Sequence, residues 1–462
     1  MGADNITQCL LFPKLIHKPL QVEFDEPQTS SDGGAILLKA ADAKLGLTAN
    51  LAACLTDERQ PGKVKHSIED LLRQRIFGLA CGYADGNDAA RLSTDPVFKL
   101  LLERDPLTGG ALSSQPTLSR FENQVGPRAN YRLALAFATT VLHRQTQRRP
   151  GRRRPRHITI DLDSTADPTH GHQQLTFFNA FYDCYCYLPL LGFVSFDAEP
   201  EQYLALAVLR PSNETEKAPV VVRLAARFIS LVRAAFPKAK LKVRLDAGFA
   251  GPEMFDYLDR VPHLKYACGL AKNSVLQRYA EPLLKPARKR AKRSKQSARI
   301  FGEHSYRAGS WTRSRRVVIK AEVTRNADGK LKDNPRFVVT NHHQSPKFVY
   351  QQAYCSRGEI ENRIKELQHD LEIDRTSCSS FWANQFRVTL TAAAYALLQE
   401  IRTHAKGTSL ARAQACSLRL HLLKLSARVA QSVRRCVLHL SATCAFLKEW
   451  TRIARQLGAA PT

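Results

Sequence analysis

Apolar residues along the chain repeat with two different periods, and the change of period divides it. Up to about residue 145, apolar positions recur at helical spacing in "GGAILLKAADAKLGL", "SIEDLLRQRIFGLACGYA", "DPVFKLLLERD" and "RLALAFATTVLHR". These predict a mainly helical N-terminal domain over 1–143 with one short strand at "LQVEFDEP". From residue 157 the period becomes two: "HITIDLD", "YLPLLGFVSF", "QYLALAVLR", "LKVRLDAGF" and "LKYACGL" read as strands. Helices are predicted at "APVVVRLAARFISLVRAAFP" and "GPEMFDYLDRV". The order βββαβαβ predicts an α/β fold, a mixed sheet covered on both faces. Further strands, "RRVVIKAEVTRN" and "PRFVVTN" joined by a "NADGK" turn, read as an inserted β-rich segment. Two long helices follow, "QQAYCSRGEIENRIKELQHDLEI" and "FWANQFRVTLTAAAYALLQEIRTHA". The C-terminal stretch reads as a helix, a hairpin near Arg428 to Leu440 and a last helix.

Charge changes this picture. The 462 residues hold 69 Lys and Arg against 42 Asp and Glu, a net charge of +27, more than solubility requires and suited to a polyanion such as nucleic acid. The cations cluster in "RQTQRRPGRRRPRH" at 144–157, read as an interdomain linker lying along phosphates through Arg152, Arg153 and Arg154, and in "KPARKRAKRSKQSAR", a low-complexity basic tract that includes Lys289 and Arg290. The segment "SSQPTLSRFENQV" carries a helix start with Pro116 in its first turn. Arg120 on that helix is placed either to read DNA or simply to be solvated. No run of 18 apolar residues occurs, and the start lacks a signal-peptide layout, so a cytoplasmic protein without membrane partners is expected. The 11 cysteines contain no CxxC pair, which argues against a zinc knuckle or a disulfide framework and for reduced thiols.

The candidate chemistry lies in acidic residues. Strand alternation puts Thr159, Asp161 and Asp163 on one face, where two nearby carboxylates call for a cation, most simply a divalent metal. Asp246 ends a strand before the flexible "AGF" turn, where ligands of α/β sheets gather. Tyr354, Arg357, Glu361 and Lys365 follow spacings of three, four and four and are predicted to line one helix face, either as part of a site or as a surface ion-pair ladder. An aspartate inside the first strand, one ending the fourth, and a glutamate on a helix after the fifth can meet at one edge of the sheet.

These residues resemble the Asp-Asp-Glu (DDE) triad of insertion-sequence transposases: Asp163 in "DST", Asp246 in "LDAGF" and Glu361 in "YCSRGEIENRIKEL". The last block is similar to the Tyr-Arg-Glu-Lys signature of one large group, and "DPTHGHQQ", "YLPLLGF", "ENRIKELQHDL" and "DRTSC…FWANQFR" resemble the family numbered thirteen-eighty. The signature's final Lys falls on Gln368, which passes its role to Lys365 one turn earlier. The resemblance implies a ribonuclease-H-like core in two parts, 158–274 and 346–405, around an insertion at 275–345, with 406–462 as a C-terminal region. It implies cut-and-paste movement of a bacterial mobile element, in the cytoplasm at the nucleoid. Implied partners are its inverted-repeat ends and target DNA, bound by a homodimer. The implied cofactors are two Mg²⁺ ions, with Mn²⁺ as a substitute. Asp163 would bridge both ions, Asp246 and Glu361 would each hold one, Asp161 would support them, and Tyr354 and Arg357 would contact phosphate. His170 and His172 are read as phosphate contacts or loop structure, since hard Mg²⁺ prefers oxygen. Trp382 is read as a core aromatic, with base stacking as its alternative role. Two rival readings are a catalytically decayed transposase that only binds DNA and a structure-specific nuclease.

Overall fold

The computed structural model of the protein describes residues 10–151, 154–326 and 329–460. Arg152 and Arg153, expected on phosphates, and the "AD" of the "NADGK" turn lie outside the described residues. The first strand of the second half, His157–Ser164, forms the middle of the sheet. It pairs in parallel with Lys240–Leu245 and antiparallel with Leu190–Phe196. Tyr203–Val208 lies outside the latter, and Leu264–Leu270 pairs in parallel with Lys240–Leu245. The parallel strands require crossovers, which the expected helices Pro219–Ala235 and Pro252–Arg260 supply. Ile158, Ile160 and Leu162 are fully buried, as are Leu241 and Leu245 on the neighbouring strand.

The inserted segment continues this sheet. Arg336–Thr340 pairs antiparallel with Leu264–Leu270, and Arg315–Arg325 and Ala298–Tyr306 follow outward. The described residues thus form a single nine-stranded mixed sheet here. The basic tract read as low complexity begins as the second half of a 21-residue helix, Ser274–Ser294, and ends in the strand Ala298–Tyr306. Leu276, Ala280, Leu284, Ala287 and Ala291 bury one stripe at spacings of four and three, and the Asn273 side chain caps the start by accepting from the Leu276 N–H at 2.9 Å. That packing outweighs Pro282 and Pro286, which interrupt the helical hydrogen bonds on the exposed side.

The N-terminal helices Ile36–Leu45, Ile68–Ala80 and Pro127–Arg148 agree with the pattern. They pack on Phe381–His404, which is buried nearly all round rather than on one face. Leu38, Phe77, Val194 and Leu397 belong to one continuous apolar cluster. The expected hairpin forms from Ala427–Gln431 and Cys436–Leu440, and Thr29–Ser30 adds to its edge. The basic linker differs from expectation at its start, where the helix runs on to Arg148 and the first arginines turn inward. Arg144 pairs with buried Glu400 at 2.5 Å, Arg148 donates to the Tyr203 hydroxyl at 2.8 Å, and Arg149 lies 4.2 Å over the Phe196 ring while pairing with Glu199. Arg154 is exposed.

Candidate active site

Parallel pairing aligns Arg244 with Asp161, and two residues further along each strand stand Asp246 and Asp163. Asp246 opens a short turn, Ala247–Phe249, and its Oδ1 accepts from the Gly248 N–H at 3.0 Å. On the other flank Gly269 admits this turn. A Cβ at Gly269 would come within 2.6 Å of the Tyr354 hydroxyl and 2.9 Å of the Ala247 nitrogen. Any side chain there would push Tyr354 or the Asp246 turn out of place.

The segment before Glu361 is not the continuous α-helix its spacing predicts. Val349–Tyr354 is a π-helical turn, Cys355–Arg357 a 3₁₀ turn, and the α-helix starts at Gly358 and runs to Leu371. The change of winding turns Tyr354 and Arg357 toward the sheet, half-buried, while Glu361 and Lys365 are exposed. The helix is fixed by Ile360, Ile364, Leu367 and Leu371 on its buried side and by Glu366, which pairs with Arg402 and accepts from the Tyr395 hydroxyl at 2.8 Å. Gln368, at the position where the signature has Lys, donates to Thr165 Oγ1 at 3.0 Å and so ties the helix to the end of the Asp163 strand.

Arg357 Nη2 lies 2.5 Å from Asp163 Oδ2. Burial pushes the Asp163 carboxyl up to about 7; Asp246 and Glu361 add to the rise, and Arg357 offsets it only in part. Burial and then Glu216 raise Asp246 as well, against the pull of Arg357. Burial disfavours the Arg357 charge, but Asp163, Asp246 and Tyr354 together raise its pKa. Arg357 Nε is buried with no hydrogen-bond partner among the described residues. The centre therefore holds two acids that resist ionising, a guanidinium that lowers that resistance, and one buried donor left unpaired.

Asp161, expected to support the metals, is engaged by protein partners. Both its oxygens accept from Arg244 at 2.5 Å, and Oδ2 also accepts from Gln202 at 3.1 Å, so most of its acceptor capacity is spent within the protein. Among the described residues no group of three or more His, Cys, Asp or Glu stands close enough to hold a metal ion. The donor chemistry nevertheless suits a hard cation, because Asp163, Asp246 and Glu361 offer only carboxylate oxygens and Arg357 already occupies the place where positive charge is needed. His170 and His172 are exposed. Trp382 lies edge-on to Phe381 with ring centres 5.0 Å apart. Arg120 is exposed at the rim of an N-terminal cleft of about 1400 Å³, shared with Arg59, Lys63, Lys65, Arg104 and Arg128. Lys289 and Arg290 stand on the solvent side of their helix.

Sequence reasoning missed the part played by Arg244, although its alternation with Asp246 was visible, because its partner is set by strand pairing. It also missed Glu216, which pairs with Arg210 at 3.6 Å beside Asp246 and carries no signal in a loop of mixed polar residues.

Compared with known families, the chain aligns over residues 12–462 with the one described as Transposase DDE domain group 1. It belongs to that family. No curated protein matches the chain. The DDE transposases are DNA-cleaving and DNA-transposing enzymes, which accounts for the positive charge of this one. No helix among the transposase's described residues is long and apolar enough to cross a membrane.

Proposed function

We propose that this transposase cuts and joins DNA strands at the inverted-repeat ends of a bacterial insertion sequence, moving it by cut and paste, with Asp163, Asp246 and Glu361 as its triad. The observation that carries the reading is the meeting of Asp163 and Asp246 at the ends of adjacent parallel strands, bound electrostatically to Arg357 from the turn that leads into the Glu361 helix. A ribonuclease-H-like core is supported by the spatial order third, second, first, fourth and fifth strand, with only the second antiparallel to its neighbours. Assignment to the Tyr-Arg-Glu-Lys group and to family thirteen-eighty rests on the residues around Glu361.

Asp163, Asp246 and Glu361 would together hold two Mg²⁺ ions, or Mn²⁺ in their place. When bound they activate water or a 3′-hydroxyl and neutralise charge at the leaving oxygen. The protein's own groups do the positioning. Gly248 fixes Asp246, Gln368 fixes the Glu361 helix, and Arg244 fixes the strand register through Asp161. Arg357 and Tyr354 would contact a phosphate at the cut, the guanidinium through charge and the phenol through its hydroxyl. Residues 1–143, with Arg120 in the basic cleft, would grip the ends, and Arg154, Lys289, Arg290 and Lys365 would neutralise backbone phosphates of ends and target held by a homodimer at the nucleoid.

Separating binding from cutting tests this. Asp246→Asn and Glu361→Gln should abolish strand cleavage while gel-shift affinity for the ends stays within a few fold. Ca²⁺ in place of Mg²⁺ should permit binding without cleavage, because its looser coordination positions the reacting oxygens poorly. A variant that still cuts removes its residue from the triad.

A further inference from the structure

Between the Asp163 strand and its antiparallel neighbour, the chain forms a small separate sheet from Asp167–Pro168, Phe177–Asn179 and Cys184–Tyr187. Its surface carries aromatic rings in the open: Phe178 is 52% exposed, Tyr185 60% and Phe181 86%, with Phe177 and Tyr182 partly covered. They adjoin one another, Phe178 meeting Tyr185 edge-on at 5.6 Å and Phe181 meeting Tyr182 at 4.9 Å. Contiguous exposed apolar surface of this kind marks an interaction site.

The projection is held rigidly. At its base buried Asp167 accepts from Thr376 Oγ1 at 2.8 and 2.9 Å, and at its side Ser212 donates to the Phe177 carbonyl at 2.7 Å while accepting from Asn179 Nδ2 through its own carbonyl at 3.1 Å. Asn179 Oδ1 accepts from the N–H groups of Phe181 and Tyr182, and Asp183 closes the turn in the left-handed region at φ 53°. The rings are therefore presented in fixed positions, at little entropic cost on binding. The projection also adjoins the acidic centre. Its first strand starts at Asp167, four residues after Asp163, and Ser212, which holds Phe177, lies two residues after Arg210, which donates to Ser164 Oγ at 2.8 Å next to Asp163. Burial and the charges of Glu216, Asp163 and Asp246 raise the Tyr182 phenol, while Phe181 stands in solvent.

We propose that this projection is a base-stacking platform, on which Phe181 and Tyr182, backed by Phe178 and Tyr185, receive bases unpaired at the DNA end whose backbone lies at Asp163 and Asp246. The occupant follows from continuity with that centre and from the net charge of +27, which selects a polyanion that also carries flat apolar faces. Stacking needs no sequence match, since every base has such a face. The proposal rests on the DNA-cleaving reading of the same centre.

The test uses the full-length protein in chelator, where nothing is cut. The probes are two duplexes of one sequence, one fully paired and one with its terminal pairs mismatched, each carrying 2-aminopurine near the end. The mismatched duplex should bind about 10-fold tighter with its 2-aminopurine quenched, and Phe181→Ala with Tyr182→Ala should abolish both the preference and the quenching. Phe181→Trp should retain both. Equal affinity for the two duplexes, or an unquenched base, overturns the proposal. So does a change in the sedimenting mass of the free protein on Phe181→Ala with quenching intact, which would make the patch a contact between two copies. Asp246→Asn should still quench. If that variant also cuts, the catalytic reading fails while the platform stands.

Discussion

Asp161 and Asp163 stand two residues apart on one strand face and have opposite surroundings. Asp161 is neutralised by Arg244 and sealed from water, whereas Asp163 shares one guanidinium with Asp246 at the sheet edge. Their loss should therefore be felt differently. Asp163→Asn should abolish cleavage throughout a Mg²⁺ or Mn²⁺ titration. Asp161→Asn leaves a buried guanidinium without its counter-charge and should cost about 3–5 kcal/mol in a urea melt, with no rescue of stability by added Mg²⁺. Rescue by metal would show that Asp161 supports the metal set. Asp163 also predicts a pH dependence. A carboxyl whose folded pKa lies above its unfolded one favours the protonated form in the folded state. Its contribution to stability is complete below the unfolded value of about 4 and is lost as pH rises through about 7. In chelator, thermal melts of the wild type should therefore decline across that interval relative to Asp163→Asn, which cannot ionise. Parallel curves would show that Asp163 is not strained by its burial.

Elements place these residues as much as strand faces do. Val349 and Tyr350 bury against Ala267, Val318 and Val338, and the π turn that starts there rotates Tyr354 and Arg357 onto the sheet before the α-helix presents Glu361. The spacing of three, four and four was correct as sequence. It misled as geometry, because a π turn and a 3₁₀ turn advance the chain by different angles from an α-helix. The long helix Phe381–His404 is tied to Pro127–Arg148 through Glu400, which accepts from Arg144 Nε at 3.0 Å and lies 3.0 Å from His404 Nε2. Burial opposes its charge, yet His404 and Arg144 hold the carboxyl down at about 2. Being depressed, it adds stability above its unfolded value of about 4.3 and loses it as pH falls toward 2. Glu400→Gln should cost about 3 kcal/mol near neutrality and flatten acid unfolding over that interval. An unchanged melt would mean that the two helices are joined by apolar packing alone.

At the scale of the whole molecule, the charge of +27 is divided between two uses that composition cannot separate. Arg144, Arg148 and Arg149 serve the interior, while Lys285, Lys289, Arg290, Lys292, Arg293 and Lys295 line the open side of the Ser274–Ser294 helix and the residue that caps its end. Replacing Lys289, Arg290, Lys292 and Arg293 by Gln should reduce the slope of log K against log salt by up to about 3.6, at about 0.9 per phosphate contact, and leave sequence preference intact. An unchanged slope would mark that face as merely solvated. The sequence by itself determined the element types of the central sheet and singled out Asp163, Asp246 and Glu361 as candidates, because local periodicity records which faces are buried and the motifs around these three acids are compact. Only the tertiary structure decided that Arg244, 83 residues from Asp161, cancels its charge, that the inserted strands extend the main sheet, and that Thr29–Ser30 closes on Ala427–Arg428. It also decided that the rings of Phe178, Phe181 and Tyr185 face outward. Each of these depends on which distant segment lies alongside, and a side chain's chemistry is completed by that neighbour, which the local pattern does not encode.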